Sequence, residues 1–138
     1  MRLGGQRVGI VRDVPVLDGQ GAPVFGVLGQ PATTEVVAWV DDCLFETQLT
    51  AEADGEVTTA TVQRAWCFMP VVDGHVPAVD NAGQPAPIAV TDITAEARLR
   101  YGNDFQMIGD AVLEMDLNGR EDHTFCLCQR QFSSTGKA

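Results

Sequence analysis

The chain has 138 residues, 45% of them hydrophobic and 20% charged, with a formal net charge of −10. That length suits one domain, 1–138, with a small core, and nine Lys and Arg against nineteen Asp and Glu argue against a protein that grips nucleic-acid phosphates. No apolar run approaches the roughly 20 residues that span a bilayer, and the opening MRLGGQRVGIVRD lacks the apolar stretch of a signal peptide, so synthesis in a cytosol is the expectation.

Taken in order, residues 6–12 form a short β-prone segment, and Asp18-Gly19-Gln20-Gly21 is a turn able to return it through residues 22–27. Pro15 and Pro23 place these strands at a sheet edge. Residues 34–40 predict a strong strand, followed by Asp41-Asp42 and then Cys43-Leu44-Phe45; the paired acids read as a strand end or turn. Residues 46–56 (ETQLTAEADGE) carry Glu46, Glu52, Asp54 and Glu56 with no basic residue, which marks a solvated loop or a hairpin arm. Residues 57–70 predict the longest strand, rich in β-branched and aromatic side chains. Ala60, Val62, Trp66 and Phe68 share one of its faces, so that face is expected in the core with Trp66 as an anchor. Residues 71–90 carry Pro77, Pro85 and Pro87 with Gly74 and Gly83, a composition that predicts a long exposed loop; the loops are expected near 46–57 and 71–93.

Residues 94–132 read as two consecutive hairpins. Ala97, Leu99 and Tyr101 alternate with Arg98 and Arg100, the period of a half-buried strand, although a short helix capped by Asp92 or Thr94, or a single turn at residues 94–96, is also open. Gly102-Asn103-Asp104 reverses the chain into Phe105-Gln106-Met107-Ile108, Gly109 marks a bulge or bend, and Asn118-Gly119 is a strong hairpin signal leading into residues 123–130. The result is a meander of at least three antiparallel strands. Its expected core is Leu99, Tyr101, Phe105, Met107, Phe125 and Leu127, joined by Trp66 and Phe68.

Residues that carry chemistry are few. His75 and His123 have no serine or cysteine nearby in a nucleophile motif, so no catalytic residue is assigned. Cys126 and Cys128 share a strand face and reach toward a metal only with His123, a spacing unlike CxxC; with Cys43 and Cys67 they read as reduced core thiols, and neither metal nor cofactor is expected. The glycines of GGQRVG follow no strand and open no helix, which excludes a phosphate loop.

In sequence the chain resembles the head-to-tail stopper, or head-closure, proteins of long-tailed bacteriophages, especially those of actinobacterial hosts. The residues that carry the resemblance run through the chain: Met1-Arg2-Leu3-Gly4, a strand ending at Arg12 and an Asp-Gly-x-Gly-x-Pro-Val turn at residues 18–24; a strand ending near Cys43 with Thr58-Thr59 after the following loop; Trp66-Cys67-Phe68-Met69-Pro70; and Asp92-Ile93-Thr94 with Arg98-Leu99-Arg100-Tyr101-Gly102, Phe105-Gln106-Met107-Ile108-Gly109, Asn118-Gly119-Arg120, His123 and a last strand ending in Gln129-Arg130. It departs from the family at Leu113 and Met115, where a tryptophan is common, and in a longer Pro-rich segment at residues 76–88.

The resemblance implies an all-β fold, a small antiparallel β-barrel with long loops and little helix. It implies a structural, non-enzymatic protein of the virion neck, made in the host bacterial cytoplasm, without cofactor or membrane. Its partners would be further copies of itself in a homo-oligomeric ring, the head-completion adaptor below the portal, and the tail terminator or tail-tube proteins. Packaged double-stranded DNA would pass through the ring without sequence-specific binding. Glu46, Glu52, Asp54 and Glu56 are then the channel-facing candidates, with a plain solvated loop equally open. A tail terminator is the alternative within the same class; an OB-like ligand- or nucleic-acid-binding barrel is the alternative from another.

Overall fold

A computed structural model describes residues 3–53 and 59–133. Along the described residues run β1 (Gln6–Pro15), β2 (Thr33–Ala53), β3 (Thr59–Met69), β4 (His75–Val76), β5 (Ile88–Ala89), β6 (Arg98–Tyr101), β7 (Asn103–Met107), β8 (Val112–Met115) and β9 (Glu121–Ser133), with a 3-10 turn at Val90–Asp92. Neighbours in the order β3-β2-β1-β6-β7-β9 pair antiparallel, and β9 returns to β3 through a ladder from Met69↔Thr124 to Ala60↔Ser133. The sheet therefore closes into a six-stranded antiparallel β-barrel. Closure removes the free edges that Pro15 was expected to mark: β1 pairs with β2 on one side and β6 on the other, and Pro15 sits at its end, beyond the β6 contact.

The reversals share a local chemistry. In DGQG, DNAG and DLNG, the Oδ1 of Asp18, Asp80 and Asp116 accepts hydrogen bonds from backbone N–H groups two and four residues on, at 2.8–3.0 Å. The glycine three residues on takes positive φ at Gly21, Gly83 and Gly119 and donates its N–H to the aspartate carbonyl. A short carboxylate that organises the turn, followed by a residue free to enter the left-handed region, is what such tight reversals require.

β2 does not stop at Asp41-Asp42. Asp42 takes φ 62°, and near it the register with β1 shifts between Gln6 and Val8, so the strand gains a bulge and swings from β1 to β3 without ending. The bulge also explains why Val40 and Cys43, three apart, are both buried. Gln6 repairs the ladder there: its Oε1 accepts from Phe45 N–H at 2.8 Å and its Nε2 donates to the Phe45 carbonyl at 3.2 Å.

The segment after β3 is exposed only in part, as at residues 81–85. Residues 71–93 contain the β4–β5 pair and exchange two backbone hydrogen bonds between Val79 and Trp39, at 2.7 and 2.9 Å. They deliver Val76, Ala78, Ile88, Val90 and Ile93 into the same core as the barrel strands. Prolines here remove donors without preventing burial, because alternate positions still face inward. Between Ile93 and β6 the chain makes a turn at Ala95-Glu96, and residues 98–101 are strand, which excludes the short helix.

Large and small apolar residues divide differently from the expectation. Leu99, Phe105 and Met107 are buried, and Tyr101 lies at the rim, 38% exposed, with its ring 4.9 Å from Phe45. On β3 and β9, however, Ala65, Cys67, Met69, Cys126 and Cys128 fill the interior, while Trp66, Phe68, Phe125 and Leu127 lie on the outer face, Trp66 at 40% exposure. The inward register is thus shifted by one residue from the expected one on these two strands. A barrel of only six strands is narrower than the eight-stranded barrels that side chains just fill, so small thiols and Ala65 meet at its centre.

One interior position conflicts with its surroundings. Thr124 is fully buried, and its Oγ1 has no hydrogen-bond partner among the described residues. Thr124→Val keeps the shape and removes the orphaned hydroxyl, so it is expected to stabilise the fold by about 1 kcal/mol in urea denaturation. A destabilised valine variant would mean that the hydroxyl is satisfied in solution.

Candidate functional site

The residues considered for catalysis do not converge. The His75 ring is exposed, its Nδ1 2.9 Å from the Asp73 carbonyl oxygen. His123 lies with Nδ1 2.7 Å from Asp122 Oδ2 and its ring against Phe68 on the outside of β9. Cys126 and Cys128 point the other way, into the barrel, so the backbone alternation that buries them keeps His123 from sharing an ion with them. Among the described residues no group of three or more His, Cys, Asp or Glu is placed to hold a metal. Burial pushes the Cys126 and Cys128 thiols up to about 12, and Cys67, hydrogen-bonded with Cys43 and buried, is also raised. These are unreactive core thiols rather than nucleophiles.

The candidate channel residues are distributed unevenly. Glu46 is exposed on the outer face of β2, directly across from Trp66. Glu52 belongs to β2 by its backbone and pairs with Ala60, so the acidic stretch through Ala53 is a hairpin arm rather than a loop. The side chain of Glu52, and Asp54 and Glu56 altogether, lie outside the described residues.

What the fold does assemble is two apolar surfaces. The first is the outer face of β3 and β9. One row crosses four strands as Leu44, Phe68, Phe125 and Val112, with the Phe68 and Phe125 rings 5.3 Å apart; Trp66 and Leu127 form the next row. The second is a finger, residues 16–32, that extends the β1–β2 ladder through Val16 N–H to the Ala32 carbonyl at 2.9 Å and Val24 N–H to the Val16 carbonyl at 3.0 Å. It turns twice, at Asp18 and again at Gly26, where the chain was expected to run back as a strand. Leu17, Phe25, Val27 and Leu28 are all exposed on it, Leu28 at 84%. Isolated exposed apolar residues are ordinary, but contiguous ones mark contact surfaces. The alternation rule missed the outer face because both faces of β3 and β9 are apolar; the finger was visible in the sequence as a charge-poor run between Asp13 and Glu35.

The side of the barrel at β6 is polar and internally satisfied. Arg98 meets Asp13 at 3.0 Å and Glu35 at 2.9 Å, and Arg100 meets Asp104 at 2.6 Å and Glu35 at 3.1 Å, joining β1, β2, β6 and β7. A nearby cleft of about 540 Å³ is lined by Arg12, Thr33, Thr94 and the carboxylates Asp13, Asp92 and Glu96, a setting that disfavours an anionic ligand. Among the described residues no helix is long and apolar enough to cross a membrane. Comparisons with known protein families, with curated proteins and with solved structures find no match.

Proposed function

We propose that the chain is a structural protein of a bacteriophage neck, a stopper that forms a homo-oligomeric ring between the head-completion adaptor and the tail and closes the DNA channel after packaging. The observation that carries this reading is a small closed barrel bearing two separate apolar surfaces on its outside. The sequence resemblance supplies the setting. A monomer of this size gains nothing from exposing Leu28 and Trp66, whereas a subunit of an assembly does. The β2–β3 arm with its acidic residues is the segment assigned to the channel, where carboxylates repeated around an axis repel phosphates and let DNA slide.

The OB-like alternative needs a basic groove with stacking aromatics. Here Arg98 and Arg100 are committed to carboxylates, and of the exposed aromatics Trp66 faces Glu46 across the ladder while Phe25 sits on the separate finger. A gel shift is expected to show no salt-sensitive DNA binding.

The decisive experiment deletes the coding sequence from the phage genome that carries it and adds purified protein back. The expected result is tailless heads that lose DNA, free tails of normal length, and infectivity restored by addition. Closed heads with overlong tails would assign the chain to tail termination instead. Normal tailed particles, or purified virions lacking the chain by mass spectrometry, would overturn the neck assignment.

A further inference from the structure

All four cysteines of the chain are free and fully buried in one barrel, Cys43 on β2, Cys67 on β3, and Cys126 and Cys128 on β9. The backbone fixes how two of them face each other. The Gln6 side chain takes both the Phe45 N–H and the Phe45 carbonyl on the edge of β2 away from β3, so Cys67, opposite Phe45, turns its own N–H and carbonyl toward β9. Independently, the Leu127 carbonyl accepts from Ile108 N–H on the edge of β9 away from β3, so its neighbour Cys126 turns toward β3. Cys67 and Cys126 are therefore a directly opposed, hydrogen-bonded pair on the ladder that closes the barrel. Such a pair sets its Cα atoms about 5.5 Å apart, inside the roughly 4.4–6.8 Å that a disulfide spans.

The other two thiols are placed differently. Cys43 stands on the diagonal from Cys67, since Leu44 pairs with Phe68, and a diagonal of roughly 7–8 Å is too long for the bond. Cys128 lies opposite Ala65, and its Sγ donates to the Ala65 carbonyl at 3.6 Å.

In the closed barrel the pair is inert, because burial keeps the thiols protonated and the thiolate is the reacting form. Access runs through the β6–β7 hairpin. Three residue pairs bind it to β1, and two pairs with the Ile108 hydrogen bond bind it to β9, whereas β2–β3 and β3–β9 each run through ten. Arg98 and Arg100 clasp its β1 side from outside, on Asp13 and Glu35. Local opening takes the least-bonded element first, so the hairpin lifts while the long ladders hold their register. Met107, paired with Cys128, then comes off the row of thiols.

We propose that Cys67 and Cys126 are a redox-sensitive pair, converted by a peroxide into a disulfide when the β6–β7 hairpin opens, which staples the ladder that closes the barrel. One thiolate attacks an oxygen of hydrogen peroxide and becomes a sulfenic acid; the hydroxide released takes up the proton that the thiol gave and leaves as water. The second thiol loses its proton, attacks the sulfenic sulfur and expels a second water. Two thiols and one peroxide thus become one disulfide and two waters. Cβ atoms of an opposed pair stand about 4.5–5.5 Å apart, against about 3.5–4.5 Å in a disulfide, so the bond is strained and a small thiol reduces it again. The pair is a reversible switch. It goes beyond the neck assignment and does not depend on it.

The parent chain tests it without a cysteine variant. Reduced protein is treated with hydrogen peroxide at neutral pH, alkylated in urea and cut with trypsin; cleavage after Arg64, Arg98 and Arg120 leaves Cys43, Cys67 and the Cys126-Cys128 segment on three peptides. Mass spectrometry is expected to find Cys67 joined to Cys126, lighter by two hydrogens than the reduced pair, with Cys43 and Cys128 alkylated, and glutathione is expected to remove the link. Arg98→Ala, and urea below the unfolding transition, each loosen the hairpin and leave both cysteines in place, so each is expected to speed the link several-fold. Thiols that stay reduced, isolated sulfinic acids, or a link through Cys43, Cys128 or a second chain overturn the pair. A rate indifferent to both Arg98→Ala and urea overturns the hairpin as its route.

Discussion

Phe105→Ala is expected to cost roughly 3–5 kcal/mol, a large share of the about 5–15 kcal/mol that typically holds a domain folded. Phe105 is 2% exposed on β7, its ring meets Phe45 edge-on at 5.2 Å, and the Arg130 guanidinium lies 5.8 Å from its centroid. Truncation leaves a cavity beneath Leu99, its cross-strand partner on β6, and the β7–β9 seam is short, consisting of Gln106↔Gln129, Met107↔Cys128 and the hydrogen bond from Ile108 N–H to the Leu127 carbonyl at 2.8 Å. A seam so short cannot relax to fill the void without opening the barrel. Phe125→Ala deletes a ring of the same kind from the outer face and is expected to cost no more than about 1–2 kcal/mol. Urea denaturation followed by circular dichroism separates the two, and equal losses would place Phe125 inside.

That contrast also shows where the sequence was legible. On β6, Arg98 and Arg100 mark the outer face, so alternation alone places Leu99 inward. Along residues 65–69 of β3 and 125–128 of β9 odd and even positions are both apolar, and hydrophobicity cannot choose between Cys67 and Trp66 or between Cys126 and Phe125. Size decides, and it does so only once the barrel is known to have six strands, a property of the long-range β3–β9 pairing and not of any local run. The same limit hid the length of β2. Its continuity through Asp42 depends on a left-handed residue that lets the strand change partners, whereas Asp41-Asp42 in isolation reads as a stop. The core contribution of residues 71–93 was hidden by their prolines, although Val76, Ala78, Ile88 and Val90 supply enough apolar surface to be held down. Of the channel candidates, Glu46 was found in a strand facing Trp66, which fits the margin of a contact surface as well as a channel lining.

The second large effect is electrostatic and diminishes in acid. β1 touches β6 through three residue pairs, and Arg98 stands at the end of that seam, with Nη1 and Nη2 on Asp13 at 3.0 and 3.3 Å, Nη2 on Glu35 at 2.9 Å and Nε 3.7 Å from Asp104. A single exposed ion pair contributes little, but here one guanidinium holds three carboxylates on three other strands, and removing it leaves them facing one another. Arg98→Glu, which sets a fourth carboxylate among them, is therefore expected to destabilise the fold at pH 7 by on the order of 2 kcal/mol, more than Arg98→Ala. The Arg98 hydrogen bonds hold the Asp13 carboxyl below its usual range, and those of Arg100 do the same for Asp104. A carboxylate depressed in the folded state stabilises the fold above its ordinary pKa near 4, and that contribution is lost as pH falls through the lower folded value. In the reversal variant the repelling carboxylates take up protons more readily, so acid relieves it while it weakens the parent. The stability gap between parent and variant is thus widest at neutral pH and narrows below about pH 4. Molar salt at pH 7 narrows it as well, because the groups are partly exposed and screened. Thermal melts of both proteins from pH 7 to pH 3 measure the gap directly, and a gap that stays constant across that range would assign the loss to packing of the Arg98 side chain rather than to its charge.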